Sequence, residues 1–258
     1  MEPMQYYVIH PHAEIAELAA KRIQARLYQR VRLGHHPLTR YAYANHEPPG
    51  LAPQIHAIGK TLEEAVAEGF KADAIITPGN SYGDMTGGFD EAVVNVVGSS
   101  VQELIHLRIA QCFFGDMNVG QADLLPLPAS SPFRAIAYAP TMRAPVQLPK
   151  NSEVPYLSML AALQAIHRHN RHCGEYTSVV DALPSVAQLQ SVVFTLHGRG
   201  TGNLPVNLII RQTAMALEQV HFPQQRSIAY GTSFHRQLLQ AMDPYAPLGV
   251  ESDEPSQP

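Results

Sequence analysis

Two stretches of the chain carry the residue types from which an anion site is built. In the first, an apolar run from Ala72 to Thr77 passes into a loop holding Gly79, Asn80, Ser81, Gly87 and Gly88, and then Phe89 and Asp90. In the second, Val192 to Leu196 passes into His197, Gly198, Arg199, Gly200, Thr201, Gly202 and Asn203 before Leu204 and Pro205. Backbone N–H groups freed of a β-carbon can approach a phosphate closely, and a following helix adds positive potential at its N-terminus. Such loops need no lysines. Neither is a known phosphate fingerprint: Gly198, Gly200 and Gly202 lack the GxGxxG spacing, and no GKS or GKT follows. Glycine in a tight strand-to-helix turn also serves simply to permit positive φ. His197 and Arg199 flank the second loop. Each has two readings: His197 as a phosphate contact or proton carrier against a satisfied turn histidine, Arg199 as a diphosphate partner against a solvated side chain. Arg143, in a Pro-Thr-Met-Arg turn, is a weaker candidate for the same role.

Positioning these loops requires strands that stop at one edge. Gln5 to His10 reads as a strand, followed by a helix with Ile15, Ala19, Ile23, Leu27 and Val31 at helical spacing. Residues 34–53 turn polar and proline-rich and read as an inserted surface loop. Strand and helix then alternate: Gln54 to Ile58, Leu62 to Glu68, Ala72 to Thr77, and a helical region from Phe89 to Phe114 broken near Gly98. Apolar runs follow at Ala122 to Leu127 and Ala135 to Ala139, with a helix at Val154 to Arg171, a strand at Val192 to Leu196 and a helix at Pro205 to Val220. A last strand is expected at Ser227 to Tyr230, then a helix ending near Met242 and an unordered tail over 246–258. Strands alternating with helices mean a sheet covered on both faces, a three-layer α/β/α domain spanning 1–245. Ligands of such open sheets collect at the carboxyl ends of the strands, where both loops fall.

Composition excludes several classes. In 258 residues, 18 Lys and Arg against 22 Asp and Glu give a mildly acidic chain, without the basic field of a non-specific nucleic-acid binder. No uncharged apolar run approaches the roughly 18 residues of a membrane span. Met1 to His12 shows no export signal, and the expected compartment is the cytoplasm. Cys112 and Cys173 have neither a metal-cage spacing nor a Cys-His-Asn context, and no GxSxG turn exists. Of the 13 histidines, His167, His169 and His172 cluster. Residues two apart on a helix face different sides, and no carboxylate or cysteine completes a set around His169 and His172, so no metal site and no cofactor is expected.

The two loops, in this order, resemble the signatures of the macro domain family of ADP-ribose-binding modules and hydrolases. Residues 76–81 followed by Gly87, Gly88, Phe89 and Asp90 are similar to the first signature. Residues 198–205 are similar to the second, the loop that wraps the diphosphate and distal ribose. The resemblance covers about residues 54–222, while residues 5–33 and the turn at 140–145 are similar to a bacterial and phage-associated subgroup. It implies the macro-like sandwich with a mixed, mostly parallel sheet. It further implies binding of ADP-ribose or a related nucleotide diphosphate, extending to hydrolysis of ADP-ribosyl linkages or of an ADP-ribose derivative. By the same resemblance Asn80 would hydrogen-bond the distal ribose, and Asp90 would position or activate water. Gly87, Gly88 and Phe89 would bring backbone to the ligand. Gly200, Thr201 and Gly202 would hold the diphosphate, with His197, Gly198, Arg199 and Asn203 as ligand-binding candidates around them and Ser81 beside Asn80. Two positions depart from the hydrolytic pattern: Thr77, where Asn is frequent, and Thr86, where a third glycine stands. Gly59, Lys60 and Thr61 occupy the stretch where relatives place an adenine-reading Asp, and Asp73 reads as a strand-entry residue. Two further readings stay open: a non-catalytic reader of ADP-ribosylated partners or nucleotide signals, and a phage-related structural or assembly module.

Overall fold

A computed structural model of the chain describes residues 3–34, 52–172 and 187–222. Residues 35–51 of the insertion expected over 34–53, the segment 173–186 with Cys173, and everything after 222, including the expected strand at Ser227 to Tyr230, the helix ending near Met242 and the tail over 246–258, lie outside the described residues. The elements are β1 (Gln5–Ile9), α1 (Ala13–Gly34), β2 (Gln54–Ile58), α2 (Leu62–Ala67), β3 (Ala72–Thr77), α3 (Gly88–Val97), α4 (Ser100–Cys112), β4 (Asp123–Pro126), β5 (Phe133–Tyr138), α5 (Val154–His172), β6 (Ser191–Phe194) and α6 (Val206–His221).

The six strands make one sheet in the order β2-β1-β6-β3-β5-β4. Every pairing is parallel except that of the edge strand β4 with β5. The central strands are apolar on both faces because both faces are covered. Ala74 and Ile76 of β3 and Val192 and Phe194 of β6 pack under α1, α5 and α6, against residues such as Ile23, Met159 and Leu208. Ile75 and Val193 point the other way, onto Leu62 of α2, Val93 of α3 and Ile105 of α4. The sheet is therefore the middle of three layers. α2 starts with a capping box in which Thr61 and Glu64 satisfy each other's backbone N–H. The α3–α4 break falls at Gly98, whose φ of 109° excludes most side chains.

β1 is not appended to a finished sheet. It lies between β2 and β6, pairing Tyr6 with both Ile55 and Val192. The N-terminal strand and helix are thus structural members of the core, with Tyr6 and Val8 fully buried. The amino ends of the strands are closed by side chains. The Asp73 carboxylate accepts the backbone N–H groups of Gln190 and Ser191, at 2.7 and 2.9 Å, and so pins the entry of β6 to β3. The Tyr6 hydroxyl meets His221 Nε2 at 2.8 Å and His167 Nε2 at 3.2 Å. The carboxyl ends are different. Ile76 pairs with Phe194, so the loops after β3 and β6 leave the sheet side by side.

Candidate functional site

The loop after β3 is held by side chains together with a main-chain pairing of Asn80 with Met142. The Tyr138 hydroxyl donates to the Asn80 carbonyl at 2.7 Å, and the Tyr138 ring fills the space that a β-carbon on Gly79 would need. The Asn80 amide organises the turn: its Oδ1 accepts the N–H groups of Tyr82 and Asp84, at 3.0 and 3.3 Å, while its Nδ2 donates to the Asp84 carbonyl at 2.8 Å. That is the work of a strand-end turn residue. The second amide hydrogen of Asn80 has no partner among the described residues. Gln102 on α4 accepts the Met85 N–H at 3.0 Å. Gly87 precedes α3 in extended backbone, and Gly88 opens the helix at φ 62°.

The loop after β6 is held mostly by main chain. Arg199 N–H donates to the Leu196 carbonyl, Leu204 N–H to Gly198 and Leu148 N–H to Gly202, at 3.0 to 3.1 Å. Gly198 adopts φ 83°, and a β-carbon on Gly202 would sit 2.7 Å from the Gly198 carbonyl oxygen. At Gly200 φ is unremarkable, and nothing lies within 4 Å of where a β-carbon would be.

Both loops line one cleft of about 590 Å³, of the size small-molecule sites have. Asn80, Gly87, Gly88, Phe89 and Asp90 line it from the first loop and the start of α3. Gly198, Arg199, Gly200, Thr201 and Gly202 line it from the second. Three expected site residues are elsewhere. Ser81 is buried behind the first loop, its N–H donating to Met142 and Arg143 carbonyls, at 3.0 and 3.3 Å. Asn203 is exposed and outside the lining. His197 is fully buried, with Nδ1 2.8 Å from Ser158 Oγ on α5. Its ring lies in the core, outside the cleft lining. Burial also pushes the imidazole down to about 3, so the ring is uncharged at neutral pH.

Asp90 sits in the first turn of α3, 8% exposed, and accepts a hydrogen bond from the Thr77 hydroxyl at the end of β3. The helix N-terminus and Thr77 both favour the carboxylate. Desolvation outweighs them, and with the Asp84 charge added the carboxyl is pushed up to about 7. A group poised there gives or takes a proton at neutral pH.

The lining includes residues that the loop pattern did not single out. His10 comes from the end of β1, Lys60 and Thr61 from the β2–α2 turn, and Thr141 and Met142 from the segment after β5. Lys60 forms an ion pair with Glu68. Arg143 stands outside the cleft, paired with Asp116 and Tyr82. Among the described residues no three His, Cys, Asp or Glu side chains are placed to hold a metal ion, and no helix is long and apolar enough to cross a membrane.

Neither a family model nor a curated protein matches the chain. Solved macrodomains overlap it in part. That of DarG from Mycobacterium tuberculosis aligns with 58% of this chain and 84% of its own at 14% identity, with a TM-score of 0.44. The Oceanobacillus iheyensis macrodomain with ADP aligns with 61% of this chain and 72% of its own at 16% identity, with a TM-score of 0.45. The Trypanosoma brucei macrodomain in complex with ADP aligns with 57% and 51% at 18% identity, with a TM-score of 0.39. Overlaps of this extent leave the site to be judged on its own geometry.

Proposed function

We propose that the cleft binds ADP-ribose or a related nucleotide diphosphate, gripping the pyrophosphate with main-chain N–H groups of both loops. One observation carries this reading: the two glycine loops leave adjacent parallel strands and line the same cavity, with Gly87 and Gly200 facing space the fold itself leaves empty. Gly87 has ordinary extended backbone, and Gly200 lacks a positive φ, so local conformation does not demand glycine at either position. Room for a ligand's phosphate does. Arg199 supplies charge at the mouth of the second loop, and the spare amide hydrogen of Asn80 suits a ribose hydroxyl. Isothermal calorimetry with ADP-ribose tests this directly. Saturable heat at micromolar ligand is expected, and a folded protein giving none at millimolar ligand refutes it.

The reaction this site would support is water-mediated removal of ADP-ribose from an acceptor, without metal or covalent intermediate. Ionised Asp90 takes a proton from water as the oxygen bonds the anomeric carbon of the distal ribose; the bond to the acceptor breaks, and the acceptor leaves with the electron pair. The second reading, a binding module that recognises ADP-ribosylated partners without turnover, is favoured by the Thr77 hydroxyl, which already occupies one Asp90 oxygen. An ADP-ribosylated protein incubated with wild type and with Asp90→Ala separates the two. Turnover lost in the variant supports hydrolysis, while equal near-zero turnover with retained affinity supports the reader.

A further inference from the structure

His10 directly follows β1, and its backbone N–H donates to the Ile58 carbonyl at 3.1 Å, which fixes it against β2. Its Nδ1 accepts the His12 N–H at 3.1 Å. The neutral ring must therefore carry its hydrogen on Nε2, leaving a donor of fixed tautomer on a side chain that lines the cleft at 9% exposure. The charged and titratable groups around it are His12 and Glu14 from the start of α1 and Arg199 from the loop after β6; Lys60 and Glu63 share the cleft from the side of α2. Burial, His12 and Arg199 together hold the imidazole below its ordinary value, which favours the neutral ring when the cleft is empty.

We propose that His10 contacts the ligand's ionised phosphate through Nε2 and takes up a proton when the phosphate binds, so that with Arg199 it forms a proton-linked clamp on the diphosphate. This rests on the nucleotide-diphosphate reading of the cleft. A phosphate beside the ring offsets the repulsion from His12 and Arg199, and the imidazolium becomes the better partner. Affinity then rises as pH falls toward 6, by at most about tenfold per pH unit for one proton.

The test is calorimetry with ADP-ribose at pH 7 in two non-phosphate buffers of different ionisation enthalpy, which counts protons taken up. Wild type is expected to take up a fraction of a proton. His10→Asn, whose Oδ1 still accepts the His12 N–H, is expected to fold, bind more weakly and lose most of that uptake. Asp90→Asn removes the cleft carboxyl that is held near neutrality and should keep the uptake assigned to His10. Adenosine, which lacks the diphosphate, should show none of it. Equal uptake in wild type and His10→Asn overturns the proposal while leaving diphosphate binding intact; no heat with ADP-ribose in any chain overturns the binding reading as well. Should His10→Asn fail to fold, histidine ring NMR signals of wild type across pH, with and without ADP-ribose, decide the matter: a His10 midpoint unchanged by ligand refutes the clamp.

Discussion

The two loops that meet in the cleft reach similar ends with a different share of side-chain and main-chain support. After β3, the Asn80 amide, the Tyr138 hydroxyl and Gln102 add side-chain bonds to a main-chain pairing with the segment after β5. After β6 main-chain bonds predominate, with glycine needed at 198 and 202 and one side-chain bond from Arg199 Nη1 to the Leu204 carbonyl. The difference sorts the glycines. Gly79, Gly198 and Gly202 are required by what surrounds them, since a β-carbon would strike Tyr138, Leu204 or the Gly198 carbonyl. Gly87 and Gly200 have open space beside them. A glycine without a folding reason, facing a cavity, marks where something else comes close.

The largest effect should come from breaking the first loop where it is tightest. Gly79→Ala forces a methyl into the tip of the Tyr138 ring, which is buried and tied to the Asn80 carbonyl and so cannot swing away, and should lower stability by about 3 kcal/mol in chemical denaturation. A loss below about 1 kcal/mol would mean that Tyr138 is not the clamp described.

Next in size is Asp90, the carboxyl that follows this loop. Its folded pKa of about 7 lies above the ordinary carboxylate value. The stability it contributes is therefore present below about pH 4 and is lost as pH rises through 7. Asp90→Asn cannot ionise and can still accept the Thr77 hydroxyl. The variant should exceed wild type in stability by on the order of 2 kcal/mol at pH 8, with the gap closing toward pH 4. His167 and His221, pushed down by burial to about 4 and about 3, weaken both chains alike as pH falls below 6.5 and cancel in the difference. A pH-independent gap between the two chains would show that the carboxyl is not held near neutrality.

The second loop offers the sharpest form of the comparison because its glycines differ in kind. Gly200→Val should leave stability within about 0.5 kcal/mol of wild type, since its β-carbon meets nothing. ADP-ribose affinity should fall about tenfold or more, some 1.4 kcal/mol, as the side chain occupies the phosphate's place. Gly202→Val should do the reverse in order, destabilising first because of the carbonyl 2.7 Å away. Unchanged affinity in stable Gly200→Val would remove the pyrophosphate from this loop.

Much of this was legible in the sequence because it is local. Expected Gln54 to Ile58 and Ala72 to Thr77 match β2 and β3 residue for residue, and the break near Gly98 separates α3 from α4. Apolar runs bounded by turn residues report strands whichever way the sheet is later assembled. What was hidden depends on strand order. Nothing near His10 announces that β1 will lie beside β6 and bring an imidazole to the cleft, because that placement is set by pairing across some 180 residues of chain. His197 is a related case: its position at a strand end is local, but its contact with Ser158, on a helix 39 residues away, is not. The Asn80 amide, in turn, lines the cleft as expected yet organises the 80–84 turn, which residue type alone does not distinguish.

The smallest expected effect separates the two arginines near the loops. Arg143 follows β5 and belongs to the outer side of the first loop, where its guanidinium pairs with Asp116, donates to the Tyr82 hydroxyl at 2.9 Å and leaves its side chain 72% exposed. Arg199 lines the cleft in the loop held mostly by main chain, and its charge reaches His10. If charge matters only where the cleft is, Arg143→Ala should leave ADP-ribose affinity within about twofold, the scatter expected of a surface pair. Arg199→Ala should weaken binding several-fold and flatten its dependence on salt, because a cation that faces phosphate is screened along with it. Equal losses in the two variants, measured by calorimetry at low and high salt, would mean that the ligand lies across the outer face of the first loop instead of between the two.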